Sequence, residues 1–342
     1  MRSLALPARL LTAALVLVSV ASCADDDAPN DSGEPADITL VVYDSFPTEG
    51  TALNDALAEF TASTGIGVTV VVGGDAGTMV TKAVLTAGNP EGDVMWGVDN
   101  TLLSAATEGG VFEGSPVEVD TGDVCVNYDI AWFEQMGLEP PQTLDDLIDP
   151  AYADLLVVQN PATSSPGLAF LLATIAHAGA DGWQEYWSAL RDNGVEVEDS
   201  WTTAYYERFS GAGGGSGGDR PLVVSYASSP PAEVVFAVPP RDDAPTGVAT
   251  GTCFRQVEYA GVLRGTAHAD EAAQLVEFLV SERFQRELPL TLFVNPVNPD
   301  VELPDVFVRF SATPTDPYTM DPADIAANRE AWQDEWTQIV LR

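Results

Sequence analysis

Ile-Thr-Leu-Val-Val-Tyr-Asp-Ser-Phe-Pro, residues 38–47, sets the pattern of the chain: a β-rich apolar run, a polar turn, and then Leu53, Leu57 and Phe60 at helical spacing. The unit recurs twice. A second apolar run covers 67–72, Gly-Gly-Asp-Ala-Gly at 73–77 forms a loop, and 79–87 reads as a helix with its apolar residues on one face. Asp-Val-Met-Trp-Gly-Val at 93–98 makes the third strand, with Asp99 and Asn100 leading into a helix at 101–107. Three strand–helix units in series predict a parallel sheet and an α/β fold. Loops that follow such strands gather at the carboxyl edge of the sheet, where open α/β folds bind ligands, so Tyr43, Asp44, Ser45, Asp75 and Asp99 are expected to converge. No Gly-x-Gly-x-x-Gly or P-loop pattern follows any of these strands, which gives no support to a nucleotide fold.

Further along, Asn-Pro-Ala-Thr-Ser-Ser-Pro-Gly at 160–167 separates an apolar strand at 155–158 from an apolar run at 168–176. Ser164 or Ser165 can cap the helix that begins there, and Pro166 suits its first turn. A helix start of this kind attracts anions, and the hydroxyls of Thr163, Ser164 and Ser165 add donors; a plain βα connection that binds nothing is the alternative. A helix around 183–190 and a strand at 222–226 complete a second α/β pattern. The extended runs 124–128 and 253–259 flank it and read as two crossings between lobes. If they run side by side, Cys125 and Cys253 come close enough for a disulfide that staples the hinge. The insert Gly211 to Gly218 has almost no side chains to pack and reads as a mobile surface loop away from the cleft. Residues 281–288 are expected to continue the helix at 271–280 as a second helix, 292–297 to form a loop or short strand, and 322–340 to form a final helix with Trp332 and Trp336 turned to the core.

At the N-terminus, Arg2 and Arg9 precede an apolar run at 10–21 that ends Val-Ala-Ser-Cys at 20–23. This reads as a lipoprotein signal peptide, 1–22, with lipid attachment at Cys23. Residues 23–36 contain three consecutive aspartates and no large apolar side chain, and read as a flexible acidic tether. About 320 residues remain, 46% of the whole sequence being hydrophobic, enough for two lobes with substantial cores. The predicted division is 37–124 with 254–300 as one lobe, 125–253 as the other, and 301–342 as a helical segment packing on both. The net charge of −38, from 52 acidic against 14 basic residues, excludes nucleic acid as a natural partner and favours cations. Two histidines and two cysteines beyond Cys23 suggest no metal cluster.

Neither histidine is tied by motif to a serine, and no Gly-x-Ser-x-Gly elbow is present, so an enzyme reading finds no nucleophile–base pair. A binding reading uses more of the residues. Rings at Tyr43, Trp201, Tyr205, Tyr226 and Phe293 can stack on a flat cation at about 0.5 to 2 kcal/mol each, while the loop carboxylates neutralise its charge.

The ordered motifs Tyr-Asp-Ser-Phe at 43–46, Gly-Val-Asp-Asn-Thr-Leu-Leu at 97–103, Thr-Ser-Ser-Pro-Gly-Leu at 163–168, Trp-Thr-Thr-Ala-Tyr at 201–205, Leu-Val-Val-Ser-Tyr at 222–226 with Ser229-Pro230, and the tryptophan-rich last helix resemble the thiamine-binding proteins of bacterial ABC importers. That family belongs to the two-lobed class that also contains ferric-ion and polyamine binders. The resemblance implies a type II periplasmic-binding-protein fold with a double-crossing hinge. It implies a monomer without cofactor or catalysis, held by its lipid outside the cytoplasm and delivering thiamine or thiamine phosphates to a membrane permease. Tyr43, Trp201, Tyr226 and Phe293 would flank the rings of the ligand. The turn of Thr163, Ser164, Ser165 and Gly167 would meet its hydroxyethyl or phosphate end. Asp44, Ser45, Asp75, Asp99, Tyr205 and Ser225 complete the expected set, Asp75 matching with a one-residue shift. Ala232 stands where the family carries a stacking Tyr, and Phe293 where it carries Trp, changes that would weaken the clamp by about 1 to 3 kcal/mol. A ferric or polyamine binder, attracted by Tyr205-Tyr206 and the acidic loops, is the alternative.

Overall fold

The computed structural model describes residues 36–213 and 217–342. The signal peptide, Cys23, nearly all of the tether and the centre of the glycine-rich insert lie outside them. The described strands are β1 (Asp37–Tyr43), β2 (Gly67–Gly74), β3 (Val94–Asp99), β4 (Val117–Asp129), β5 (Leu156–Gln159), β6 (Glu196–Glu198), β7 (Leu222–Tyr226), β8 (Thr246–Val262) and β9 (Asn295–Pro296). They form one sheet in the order β2-β1-β3-β8-β4-β7-β5-β6, with β9 added to β4.

The pairing explains why the sequence reads as two lobes. β1 is parallel to β2 and β3, and β5 is parallel to β6 and β7. Between these parallel halves run β4 and β8, antiparallel to each other and to their outer neighbours. The two expected crossings, 124–128 and 253–259, are therefore the end of β4 and the middle of β8, and the sheet passes through them unbroken. Each half has helices on both faces, which accounts for the near-continuous apolar runs of β1, β3 and β5. In β1, Ile38, Leu40 and Val42 pack with Trp96, Phe60 and Phe284 on one face, while Val41 joins Met79 and Met95 on the other.

Cys125 and Cys253 are disulfide-bonded with their Cα atoms 4.1 Å apart. The bond sits where the β4–β8 register shifts between Val124 and Val126. Because 128 residues of sequence separate the two cysteines, closing so long a loop removes about 5 kcal/mol of unfolded-chain entropy in the simplest account.

Helix Ser165–Ala178 is buried from Ser165 through Ile175, so its run lacks a polar face because it has no solvent face. The last helix, Pro322–Val340, sets Trp336 edge-on to Trp187 at 5.4 Å and packs on both Trp183–Asp192 and Leu103–Glu108, touching both halves of the sheet. One expectation fails. The continuous helix at 281–288 is instead the short turns Glu282–Gln285 and Leu288–Thr291. Pro289 has no N–H to offer the Gln285 carbonyl and disfavours helical geometry in the residue before it, so the chain breaks and re-forms.

Candidate functional site

The carboxyl ends of β1 and β3 face the starts of helices from the other half of the sheet across a cavity of about 210 Å³. Tyr43, Asp44, Ser45 and Asp75 line it from the first half. Ser165, Trp201, Tyr205 and Tyr226 line it from the second, and Phe293 closes one end. Nine of the residues singled out from sequence thus share one cavity.

Local backbone explains several placements. Tyr43 ends β1, and its ring lies over Gly97, which has φ +110° and whose missing Cβ leaves the space the ring occupies. Residues 201–208 form a helical turn that widens into a π-helical one at Ala204–Arg208, a form often found at functional sites. The turn stacks Trp201 on Tyr205, centroids 4.8 Å apart and planes within 18°, and sets Tyr206 edge-on to Trp201 at 5.5 Å. Trp201 Nε1 donates to Ser225 Oγ at 3.0 Å, and Ser225 shares a hydrogen bond with Ser229 at 2.8 Å. Tyr205 donates to Glu233 at 2.9 Å, and Glu233 also accepts the N–H of Gly213. The base of the glycine-rich insert is therefore tied behind the cavity wall rather than standing away from it. Phe293 has φ +56°, uncommon for a bulky residue, and its ring meets that of Phe236 at 5.6 Å.

The other five residues lie behind the lining. Asp99 is fully buried and accepts from Thr101 N–H and Oγ1, Leu102 N–H, Gln256 Nε2 and Ser165 Oγ. Neither Ser164 nor Ser165 caps its helix with its side chain. The Ser165 hydroxyl instead serves the protein's own carboxylate. Thr163 donates to the Asp199 carbonyl at 2.7 Å, Ser164 is buried, and Ser225 positions Trp201. Gly167 lets its helix press on β5, since a Cβ there would stand 2.5 Å from the Gln159 carbonyl oxygen.

The two sides of the cavity touch. Trp201 N–H donates to Asp75 Oδ2 at 3.1 Å, Thr202 Oγ1 to Asp44 Oδ2 at 3.4 Å, and Thr78 N–H to the Thr163 carbonyl at 3.3 Å. A Cβ at Gly77 would meet that carbonyl oxygen at 2.7 Å, so glycine permits the approach.

Glu258, in the lining, and Asp120 behind it escaped the reading of the sequence. Asp120 Oδ2 accepts from Trp96 Nε1 at 3.1 Å, and the Asp120 and Glu258 carboxyls are hydrogen-bonded to each other, the protonated one donating, with no other partner for Asp120 Oδ1 or Glu258 Oε2. Burial raises Asp120 to about 7, and burial plus the charges of Asp120 and Asp99 push Glu258 well above the usual carboxyl range. Burial likewise brings Asp75 and Asp99 to about 6. A signal was available: along β8, Phe254, Gln256, Glu258 and Ala260 fall on the buried side of the alternation, with two polar residues where apolar ones belong. Among the described residues, the lining contains no Lys, Arg or His. An aromatic, acidic cleft of this kind is suited to hold a flat cation, and its described lining pairs no nucleophile with a base.

The sequence model of the bacterial extracellular solute-binding proteins matches residues 112–307, and the chain belongs to that family. It is a binding protein that works outside the cytoplasm, not an enzyme. Within the family it is similar to the thiamine-binding periplasmic protein of Escherichia coli (strain K12), 28% identical over 318 residues that cover 89% of this chain and 94% of the other. Among solved structures, a periplasmic thiamin binding protein superposes with a TM-score of 0.79 at 26% identity, covering 92% of this chain and 99% of that one. Iron-bound HitA from Pseudomonas aeruginosa shares the fold, with a TM-score of 0.67 at 18% identity, covering 88% of this chain and 99% of its own.

Proposed function

We propose that this protein binds thiamine or its phosphates in the cleft and delivers them to an ABC permease as a monomer tethered through a lipid on Cys23. The observation that carries the reading is the pairing of the Trp201–Tyr205 stack with Glu258 in one cavity that, among the described residues, has no basic side chain. A thiazolium offers a flat cation to the rings and a positive charge to the carboxylates. The likeness to thiamine-binding proteins over nearly the whole chain supports the same ligand. In this reading the halves, 37–124 with 254–300 and 125–253, are lobes that close about β4 and β8, with 301–342 braced against both. Asp44, Asp75 and Asp99 act as latches that join the lobes on closure.

An iron reading fits the cleft less well. Burial and Glu233 push the Tyr205 phenol well above its ordinary value, which disfavours the phenolate that would hold ferric ion. Titration of the purified protein with thiamine should quench tryptophan fluorescence and saturate at one ligand per chain, while spermidine and ferric citrate should leave it unchanged. A response to spermidine or ferric citrate with none to any thiamine form would defeat the proposal.

A further inference from the structure

The ring pair of the cavity wall is held from behind by a second pair of residues at the same spacing. Trp201 and Tyr205 stand four residues apart on their turn, and Ser229 and Glu233 stand four apart at the helix Pro230–Val235, so each pair shares one side of its element. Ser229 reaches Trp201 through Ser225: the two serine hydroxyls share a hydrogen bond at 2.8 Å, and Ser225 Oγ accepts from Trp201 Nε1 at 3.0 Å. Glu233 reaches Tyr205 directly. Its Oε1 accepts from the phenol at 2.9 Å, while its Oε2 accepts the N–H of Gly213. Another side of the same helix faces the ligand space, where Ala232 and Phe236 line the cavity, and Glu233 lies behind that lining.

Both partners are out of solvent, Tyr205 at 2% exposure and Glu233 at 6%. A phenol buried there requires an acceptor and a carboxyl requires donors, and each supplies the other. Burial raises the Glu233 carboxyl above its ordinary value, against which the Gly213 N–H, the Tyr205 hydroxyl and the charge of Arg241 favour the ionised form. Hydrogen bonds to an ionised acceptor are roughly twice as strong as neutral ones. The remaining neighbours of the Tyr205 ring are other rings, Trp201 at 4.8 Å, Tyr206 at 5.3 Å and Phe209 at 5.5 Å between centroids. Ring contacts alone let a ring slide in its own plane, whereas a directional bond at the hydroxyl fixes it.

We infer that Glu233 is a positioning residue for ligand binding: it fixes the Tyr205 ring, and through it the stacked face of Trp201, without meeting the ligand itself, and it ties both rings to the base of the glycine-rich segment. The inference rests on the thiamine reading above and adds to it the residue that holds the aromatic wall in place. The task calls for a carboxylate because two donors converge on one side chain. A glutamine accepts from only one of them. If its oxygen takes the Gly213 N–H, its amide faces the phenol and the Tyr205 proton is left without an acceptor; if it turns over, two N–H groups oppose each other. Alanine leaves both donors buried and unpaired.

Calorimetry with thiamine on the full chain, together with near-ultraviolet circular dichroism of the unliganded protein, decides the matter. In Glu233→Ala the affinity should fall about tenfold or more and the dichroism of the stacked Trp201–Tyr205 pair should weaken. Glu233→Gln should recover part of both, with affinity about three- to fivefold below the unaltered protein, and Tyr205→Phe, which removes only the hydroxyl, should match it. Tyr205→Phe combined with Glu233→Gln should be no worse than the weaker of the two, because both break the same bond. Losses that multiply in the combined variant, or a folded Glu233→Ala with unchanged affinity and dichroism, would overturn the role of Glu233 and leave the thiamine reading standing. An unaltered protein that binds neither thiamine nor its phosphates would defeat that reading and this inference with it. Where Glu233→Ala folds poorly, the nearly isosteric Gln and Phe variants carry the test.

Discussion

The aromatic wall and the acidic floor of the cleft are built on opposite principles. Trp201, Tyr205 and Tyr206 sit on a short turn, the first two stacked and Tyr206 edge-on to both, and the polar atoms of Trp201 and Tyr205 are served by Ser225 and Glu233. Asp120 and Glu258 sit on the two longest strands, where their buried carboxyls have mainly each other as partners. The wall is complete before a ligand arrives, and the floor is closed on itself. Wall contacts therefore contribute affinity with little regard to charge, while the floor, held protonated by burial, attracts positive charge only as its carboxyls ionise. Holding the floor on β4 and β8, stapled by the Cys125–Cys253 bond, keeps those carboxylates from relaxing toward solvent.

Removing the wall should have the larger effect. Trp201→Ala deletes the ring that stacks on Tyr205 and faces the cavity, and thiamine affinity measured by calorimetry should fall about 10- to 100-fold, as expected for a central aromatic anchor. Trp201 is only partly buried, so the melting temperature of the unliganded protein should change little. A large drop in stability with unchanged affinity would move this ring from the ligand to the core and erase the contrast with the floor.

The floor should announce itself through pH. Asp99 and Asp120 rise from 3.8 to about 6 and about 7 on burial, and burial with the charges of Asp120 and Asp99 also pushes Glu258 well above the usual carboxyl range. Because their folded values lie above the unfolded ones, the stability they contribute is fully present below about pH 4 and is lost as pH climbs through 6 to 7. The unliganded protein should therefore lose several degrees of melting temperature between pH 4 and 7.5. Thiamine affinity should move the opposite way, strengthening about three- to tenfold from pH 5.5 to 7.5 as the carboxyls facing the ligand ionise. Trp201→Ala should keep that slope. A flat profile in the unaltered protein would show that the floor does not sense the ligand's charge.

Much of this arrangement was legible from residue order alone. Alternating strand and helix periods gave the two parallel halves, and the isolated extended runs around Cys125 and Cys253 gave the strands that join them. The rings were legible because loops after strands converge on one edge. Glu258 and Asp120 were not, because a charged residue inside an apolar strand is normally assigned to the solvent side, and only parity along β8 reveals that Glu258 falls with Phe254 and Ala260. Asp99 shows the converse error: its position after β3 pointed to the ligand, but Ser165, Gln256 and Thr101 already consume its acceptors. Position in a fold places a side chain near a cavity, and only its hydrogen-bond partners decide whether anything is left for a ligand.

The smallest expected effect lies at the rim, where the wall has a gap. Ala232 lines the cavity with a methyl group where a ring would add contact, and one helical turn later Phe236 also reaches the lining, edge-on to Phe293. Residues four apart share a helix face, so Phe236 covers part of the space that Ala232 leaves open. Its ring is 66% exposed, which limits how much surface a ligand can bury against it. Phe236→Ala should weaken thiamine binding only about two- to threefold, near the exposed end of the cation–π range. Ala232→Tyr should strengthen it by a similar factor, and in that background Phe236→Ala should have almost no effect, since one ring then occupies the place of the other. Additive effects of the two substitutions would mean that Phe236 acts at the rim on its own account and that the wall ends at Trp201.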